Sequence, residues 1–193
     1  MKKSFAELTK ELPHRPIVEK ALSHVDHLPK IAIDCGCGAG NESSFLLSKN
    51  FKVHAFDPSI EAKNICLSRF KDNNNFSFSN QTFEAYSFPK ASLIIALFSL
   101  FFCPAHSLEN VLEKMKNSLN LQGILLIQFL GKDDAWVVDC PEKFLGFEQE
   151  ELKHLFNKEF DILFIDELKD NKPLANGTLK FWNVHTLILK KKR

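Results

Sequence analysis

The stretch that most constrains this chain is residues 31–40, reading IAIDCGCGAG: a short apolar run, an acidic residue at its end and three glycines at alternate positions. Residues 31–33 have the composition of a buried strand, and Asp34 then falls where its carboxylate meets solvent. Gly36, Gly38 and Gly40 let the backbone turn tightly with nothing protruding into whatever the turn holds. Asn41 is placed to cap a helix that starts immediately afterwards. Strand, glycine turn and helix in that order make a cradle for a nucleotide-like ligand.

Spacing and charge separate the two ligand classes that use such a turn. A dinucleotide fingerprint reads GxGxxG and seats a pyrophosphate on the helix N-terminus, whereas the glycines here read GxGxG. Asp34 would repel a pyrophosphate, but it attracts the ammonium of an amino-acid-bearing nucleotide such as S-adenosylmethionine. The second anchor follows one helix (41–49) and one strand (51–56) later, where Asp57 ends the strand. A carboxylate at that tip is placed to accept hydrogen bonds from a ribose diol, at about 1.5–3 kcal/mol for charge-assisted bonds. S-adenosylmethionine and NAD both carry that diol, so Asp57 marks a nucleoside without choosing between them.

The rest of the chain reads as one α/β domain over 1–193. Residues 17–25 form an N-terminal helix with Pro16 at its start, within a helical cap over 1–28. Ser59 caps a helix over 59–70 that faces the sheet through Ile60, Ile65 and Leu67. Strands are expected at 76–78, 93–97 and 124–130, helices at 108–119 and 148–156, and final strands at 161–165 and 182–189. Alternating strands and helices imply a mostly parallel sheet with helices on both faces. A net charge of +1 shows no bias toward polyanions, the N-terminal MKKSFAELTKELP has no apolar signal core, and the apolar run 93–103 is too short to span a bilayer. Five cysteines without zinc-ligand spacing suggest reduced thiols in a cytoplasmic protein, with Cys35 and Cys37 as small packing residues of the turn.

DCGCGAGNES at 34–43 followed by VHAFDPS at 53–59 resembles the first two motifs of class I S-adenosylmethionine-dependent methyltransferases. Within that superfamily the chain is most similar to small bacterial enzymes of the tellurite-resistance type, over roughly residues 12–190. The resemblance implies a Rossmann-like sheet of seven strands in the order 3-2-1-4-5-7-6 with the last strand antiparallel, and S-adenosylmethionine as cofactor. It implies a cofactor site of Asp34, Gly36, Cys37, Gly38, Gly40, Asp57 and Pro58. Thr82 and Phe83 in NQTFEAY match the position that reads the adenine edge, and Leu97 and Phe98 follow the fourth strand.

In such sheets ligands lie beyond the carboxyl ends of the strands, so the segments after each strand carry the chemistry. ALFSLFFCP at 96–104 lacks the Asn/Asp-Pro-Pro-aromatic tetrapeptide of enzymes that methylate amines of nucleic-acid bases. It offers Phe98, Phe101 and Phe102 as an apolar wall beside the methyl group. GKDDAWV at 131–137 supplies Asp133 and Asp134 as candidate groups to orient or deprotonate an acceptor and Trp136 to close over it, within a substrate lid over 131–147. His185 is a further candidate base, and His14 with Arg15 a candidate pair for an anionic substrate. His24 and His27 beside Asp26 form no metal pattern, so no metal is expected. The terminal KKKR reads as a solvated tail, and nucleic acid and membrane are not expected partners. The expected activity is in-line methyl transfer to a thiol, a chalcogen oxyanion or another small metabolite, by a monomer or homodimer. A non-catalytic S-adenosylmethionine-binding module and, further off, an RNA methyltransferase are the alternatives.

Overall fold

A computed structural model describes residues 3–25 and 27–193. The parts of the expected cap at Met1, Lys2 and Asp26, and with Asp26 part of the His24–His27 reading, lie outside the described residues.

The apolar segments pair as their burial demands. β1 (Ile31–Cys35) lies between β2 (Lys52–Phe56) and β4 (Ala91–Ala96), parallel to both, with Asp34 in register with Ala55 and Ile95. β4 is buried at every position, as expected for a strand covered on both faces. β3 (Phe76–Ser79) pairs with β2 at one edge, and β5 (Leu119–Gly131) continues the parallel set beyond β4. A two-residue β6 (Gly146–Phe147) adds to β5, and the hairpin of β7 (Phe160–Pro173) and β8 (Leu179–Lys191) completes the sheet. The order is β3-β2-β1-β4-β5-β8-β7, with β8 antiparallel to both of its neighbours. Leaving aside β6, this is the expected 3-2-1-4-5-7-6 sheet.

Helices cover both faces. Val18 and Ala21 of α2 (Ile17–Leu22), Leu46 of α3 (Asn41–Ser48) and Cys66 of α4 (Ile60–Arg69) pack on one side with Ala32 and Leu93. Val111 and Met115 of α5 (Ala105–Ser118) and Leu152 and Phe156 of α7 (Gln149–Phe156) pack on the other with Ile33 and Ile94. Each of the Val, Leu, Ile, Met and Phe side chains among them, taken fully from water, contributes about 1.5–3 kcal/mol.

Several local expectations change. α4 packs through Cys66 on the sheet and through Ala62 against Ala6 of α1 and Ala39, while Ile60 and Leu67 are exposed and Ile65 is only partly covered. The small residues at 62 and 66 let α4 sit close to its neighbours, and the larger ones point outward. Gly40, with φ 74, caps α3, and Asn41 is its first helical residue, donating from Nδ2 to Thr9 O at 2.9 Å. The N-terminal cap is two short helices, α1 (Phe5–Thr9) and α2, because Pro13 and Pro16 interrupt them. Lys190 and Lys191 belong to β8 rather than to a tail. Lys191 Nζ donates to Lys116 O and Leu119 O at the end of α5, where exposed carbonyls favour a cation.

Candidate active site

The glycine turn is tied to the strand beside it. Gly36 and Cys37 both donate backbone N–H groups to Phe56 O, at 2.8 and 3.1 Å, holding the end of β1 against the end of β2. Gly36 has φ +66, and a Cβ there would lie 2.5 Å from Ser99 Cβ. Ser99 Oγ donates to Cys35 O at 2.7 Å, so the turn after β1 is clamped by the segment after β4. Gly38 has φ +53 and only the Phe5 ring near its missing Cβ, at 3.7 Å. That leaves its backbone open for close approach by a ligand.

Beyond these strand tips lies a cavity of about 310 Å³. Asp34, Gly36, Cys37 and Gly38 form its floor, Leu97 and Phe98 one side, and residues 5–16 its roof. Asn41 Nδ2 bonding to Thr9 O and the burial of Ala6 against Ala39 and Ala62 hold α1 across the turn. The N-terminal segment that holds α1 thus lies across the glycine turn.

Asp34 differs from expectation in its exposure. It is 3% exposed, because Ser43 of α3 closes on it and donates from Oγ at 2.7 Å, and residues 13–16 shield the rest. Burial, reinforced by the nearby Glu42 carboxylate, pushes its pKa up to about 7. Arg15 opposes that rise least of all and makes no ion pair with Asp34: Arg15 Nη1 donates to Glu42 Oε1 at 2.8 Å, and its guanidinium lies 4.9 Å from the Phe98 ring centroid. Among the described residues no cation forms an ion pair with Asp34. A buried carboxylate lacking a cation, at the wall of a cavity, suits the ammonium of a ligand.

Asp57 sits at the tip of β2. Its Oδ2 accepts from Gly38 N at 3.0 Å and its Oδ1 from Ser59 N at 2.8 Å, while Asn80 Nδ2 donates to Asp57 O at 2.8 Å. Burial raises its pKa, and the two backbone donors oppose that rise. Each oxygen keeps a second lone pair for a diol, so the carboxylate is oriented before any ligand arrives. Pro58 is exposed on the same turn. Thr82 is exposed, and Phe83 is buried with its ring edge-on to Phe56; neither lines the cavity.

On the far side of Phe98 the aromatic residues cluster. Phe98 meets Trp182 edge-on at 5.4 Å between centroids, and Phe101 meets Trp136 at 5.9 Å. Trp136 lies on α6 (Ala135–Asp139), stacked on Phe144 at 5.3 Å and 22°. Phe98 has φ 51, a left-handed backbone that costs a non-glycine residue on the order of 1–3 kcal/mol. Its N–H donates to Gln128 Oε1 at 3.0 Å.

The acidic pair of GKDDAWV splits. Asp133 is exposed and pairs with Lys169 Nζ at 2.9 Å. Asp134 is fully buried, caps α6 by accepting from Trp136 N at 3.0 Å, and accepts from Asn183 N and Lys180 Nζ. Lys180 lies 3.7 Å over the Trp182 ring and 4.6 Å over Trp136, with burial lowering its pKa against the pull of Asp134. His185 takes the face of β8 opposite Trp182, with Nε2 2.9 Å from Phe147 O and Nδ1 without a partner. His14 stacks on Phe45 at 3.7 Å and meets Glu19 Oε1 at 2.9 Å. His14 and Arg15 line the cavity, whereas Asp133, Asp134 and His185 do not.

Sequence reasoning missed Glu42, Ser43, Gln128, Phe144 and Lys180. Lys180 carried a signal in its spacing, because Lys180, Trp182 and Val184 alternate along one face of a strand. Gln128 carried none, since a lone amide in an apolar strand reveals its partner only in three dimensions.

This fold is the Rossmann-like fold of class I S-adenosylmethionine-dependent methyltransferases. A methyltransferase-domain family model matches residues 32–123, which span β1 to the start of β5. Among solved structures, TehB from Haemophilus influenzae is similar with a TM-score of 0.74 at 21% identity, over 96% of this chain and 66% of that one. A methyltransferase from Methanosarcina mazei gives 0.70 at 18%, over 94% and 99%. Carboxy-S-adenosyl-L-methionine synthase of Helicobacter pylori is 33% identical over 108 residues, 54% of this chain and 44% of that protein. The chain thus spans less than half the length of that curated relative. No helix among the described residues is long and apolar enough to cross a membrane.

Proposed function

We propose that this chain transfers the methyl group of S-adenosylmethionine to a small-molecule acceptor by in-line displacement. The observation that carries the proposal is the cavity bounded by Asp34, the glycine turn and Phe98, with Asp57 oriented at the next strand tip. The bound cofactor supplies a methyl group on a positively charged sulfur. Asp34 binds its ammonium, Asp57 its ribose diol and the backbone at Thr82 and Phe83 its adenine edge, while Leu97 and Phe98 flank the methyl end. Arg15, held by Glu42, stays near Phe98 as part of the roof.

Positioning carries most of the rate in this reading. Near-attack alignment can account for about 7–11 kcal/mol of a barrier, and the aromatic wall keeps water from the dispersing charge. A dedicated base is not required for an acceptor that arrives ionised. For one that does not, Asp133, exposed and paired with Lys169, would pass the proton on to water. Asp134 holds Lys180 and Trp136 in place. We place the protein in a reducing cytoplasm, acting as a monomer or homodimer, in keeping with its five unpaired cysteines.

The test is incubation with methyl-labelled donor and a panel of thiols, oxyanions and cell extract, followed by identification of the labelled product. A labelled small molecule supports the proposal. Label found only on RNA, or only on a chemically altered donor, refutes it. Tight donor binding with no labelled product from any source points instead to a sensing module.

A further inference from the structure

We infer that the acceptor site takes a flat, uncharged aromatic or heteroaromatic molecule that bears its nucleophilic atom on or next to the ring. This deepens the methyl-transfer reading and rests on it for where the donor lies.

The site is a wall of six rings: Phe98, Phe101, Phe102, Trp136, Phe144 and Trp182. They come from three separate segments, after β4, across α6 and its following loop, and from β8. Trp136 is the hub, 5.3 Å from Trp182, 5.3 Å from Phe144 and 5.7 Å from Phe102 between ring centroids. Phe98 lines the cofactor cavity as well, so the wall begins where the methyl group would end. Phe102, 58% exposed, lies at the wall's outer side. Phe101, Phe144 and Trp182 are buried, so the face open to a ligand is made by Phe102 and the partly exposed Phe98 and Trp136.

Charge accounting narrows the ligand. Two buried or half-buried cations touch the wall, and each is already neutralised: Arg15 by Glu42 and Lys180 by Asp134. Lys180 gives a second hydrogen bond to Phe181 O. Lys143, 5.2 Å from the Phe144 centroid, and Asp133, paired to Lys169, are exposed outside the wall. An oxyanion entering here would shed its water against ring faces and find, among the described residues, no unpaired cation inside. A small aliphatic thiol would touch the rings without filling the wall. A flat ring meets faces and edges at the separations aromatic pairs favour, about 4.5–7 Å between centroids.

Chemically, the acceptor's lone pair forms the bond to the methyl carbon as the carbon–sulfur bond breaks. The bonding pair returns to sulfur, the sulfonium becomes a neutral thioether, and the acceptor's displaced proton leaves to water.

The chain has two tryptophans, and both stand in the wall, so their emission reports its occupancy independently of turnover. The experiment titrates the protein, loaded with S-adenosylhomocysteine, with 4-hydroxyquinoline, 2-mercaptoethanol and selenite, and measures S-adenosylhomocysteine binding separately by calorimetry. The expected result is saturable quenching by 4-hydroxyquinoline at an affinity about 10-fold or more above either other probe. Trp136→Leu and Phe102→Ala should each weaken it about 10-fold while leaving S-adenosylhomocysteine affinity unchanged. Comparable binding of selenite or mercaptoethanol, or S-adenosylhomocysteine binding without 4-hydroxyquinoline binding, overturns the inference and leaves the methyl-transfer reading standing. Failure to bind S-adenosylhomocysteine overturns both.

Discussion

Lowering the pH from about 8 to about 6 changes the charge of Asp34 while leaving ordinary exposed carboxylates ionised. The group is half-ionised near pH 7, because burial and the neighbouring Glu42 both disfavour its charge. About nine molecules in ten then carry the carboxylate at about pH 8, and about one in ten at about pH 6. A ligand ammonium binds the ionised form, so S-adenosylhomocysteine affinity should fall about 10-fold across that interval, with nearly one proton released per ligand bound at the lower pH. The stability of the free protein should move the opposite way. Asp34 has a folded pKa raised above its unfolded 3.8, so its contribution is full below that value and is lost as pH rises toward about 7. Asp34→Asn should flatten both profiles and weaken binding about 10- to 150-fold, the loss of a charge-assisted hydrogen bond. Calorimetry in two buffers of different ionisation heat measures affinity and proton release together, and thermal melts of the free protein supply the stability profile. Affinity that stays level across the interval with no proton exchanged would refute the assignment of Asp34 to the ammonium.

Asp57→Ala should weaken S-adenosylhomocysteine binding about 10-fold, equivalent to about 1.4 kcal/mol, and unchanged affinity by calorimetry would remove Asp57 from the ribose. Gly38→Leu should abolish binding while the circular dichroism spectrum is kept, since Phe5 alone stands near the new side chain and the turn is open to the ligand; normal binding would mean the ligand does not cross this turn. Lys180→Met leaves Asp134 charged, buried and uncompensated, at about 3–5 kcal/mol. In a domain of this size that lowers the melting temperature by roughly 6–20 °C, and a shift below about 3 °C would show that the pair is hydrated in solution.

The sheet was legible because its strands are short apolar runs separated by polar or glycine breaks, and β4, buried throughout, and β1, buried from Ala32 onward, gave the cleanest signal. The β7–β8 hairpin runs far beyond the expected 161–165 and 182–189, because its outer part carries Asp166, Glu167, Lys169 and Asp170, charged residues that a two-stranded ribbon can expose but that interrupt a hydrophobic pattern. The glycine turn and the acidic strand tips were legible for the same reason as the strands: Gly36, Gly38, Asp34 and Asp57 are local to two turns. The surroundings of residues 131–137 were not. Asp133 and Asp134 are adjacent in sequence yet differ completely in environment, one paired at the surface with Lys169 and one buried under Lys180, because their partners come from β7 and β8. No spacing rule within residues 131–137 distinguishes the two.

Phe98 shows how the two halves of the site are joined. Its left-handed backbone is unfavourable for a phenylalanine, and in a strand-to-turn exit nothing local requires it. It persists because Gln128, buried in the adjacent β5, accepts its N–H and is itself fixed by donating Nε2 to Thr186 Oγ1 at 2.8 Å on β8. Three neighbouring chain segments thus hold one strained residue, the condition under which such strain survives. The result is a ring that contacts Arg15 beside the cavity and Trp182 of the aromatic cluster. A shift of Phe98 would disturb both at once, and in the methyl-transfer reading proposed above the strain falls where donor and acceptor would be aligned.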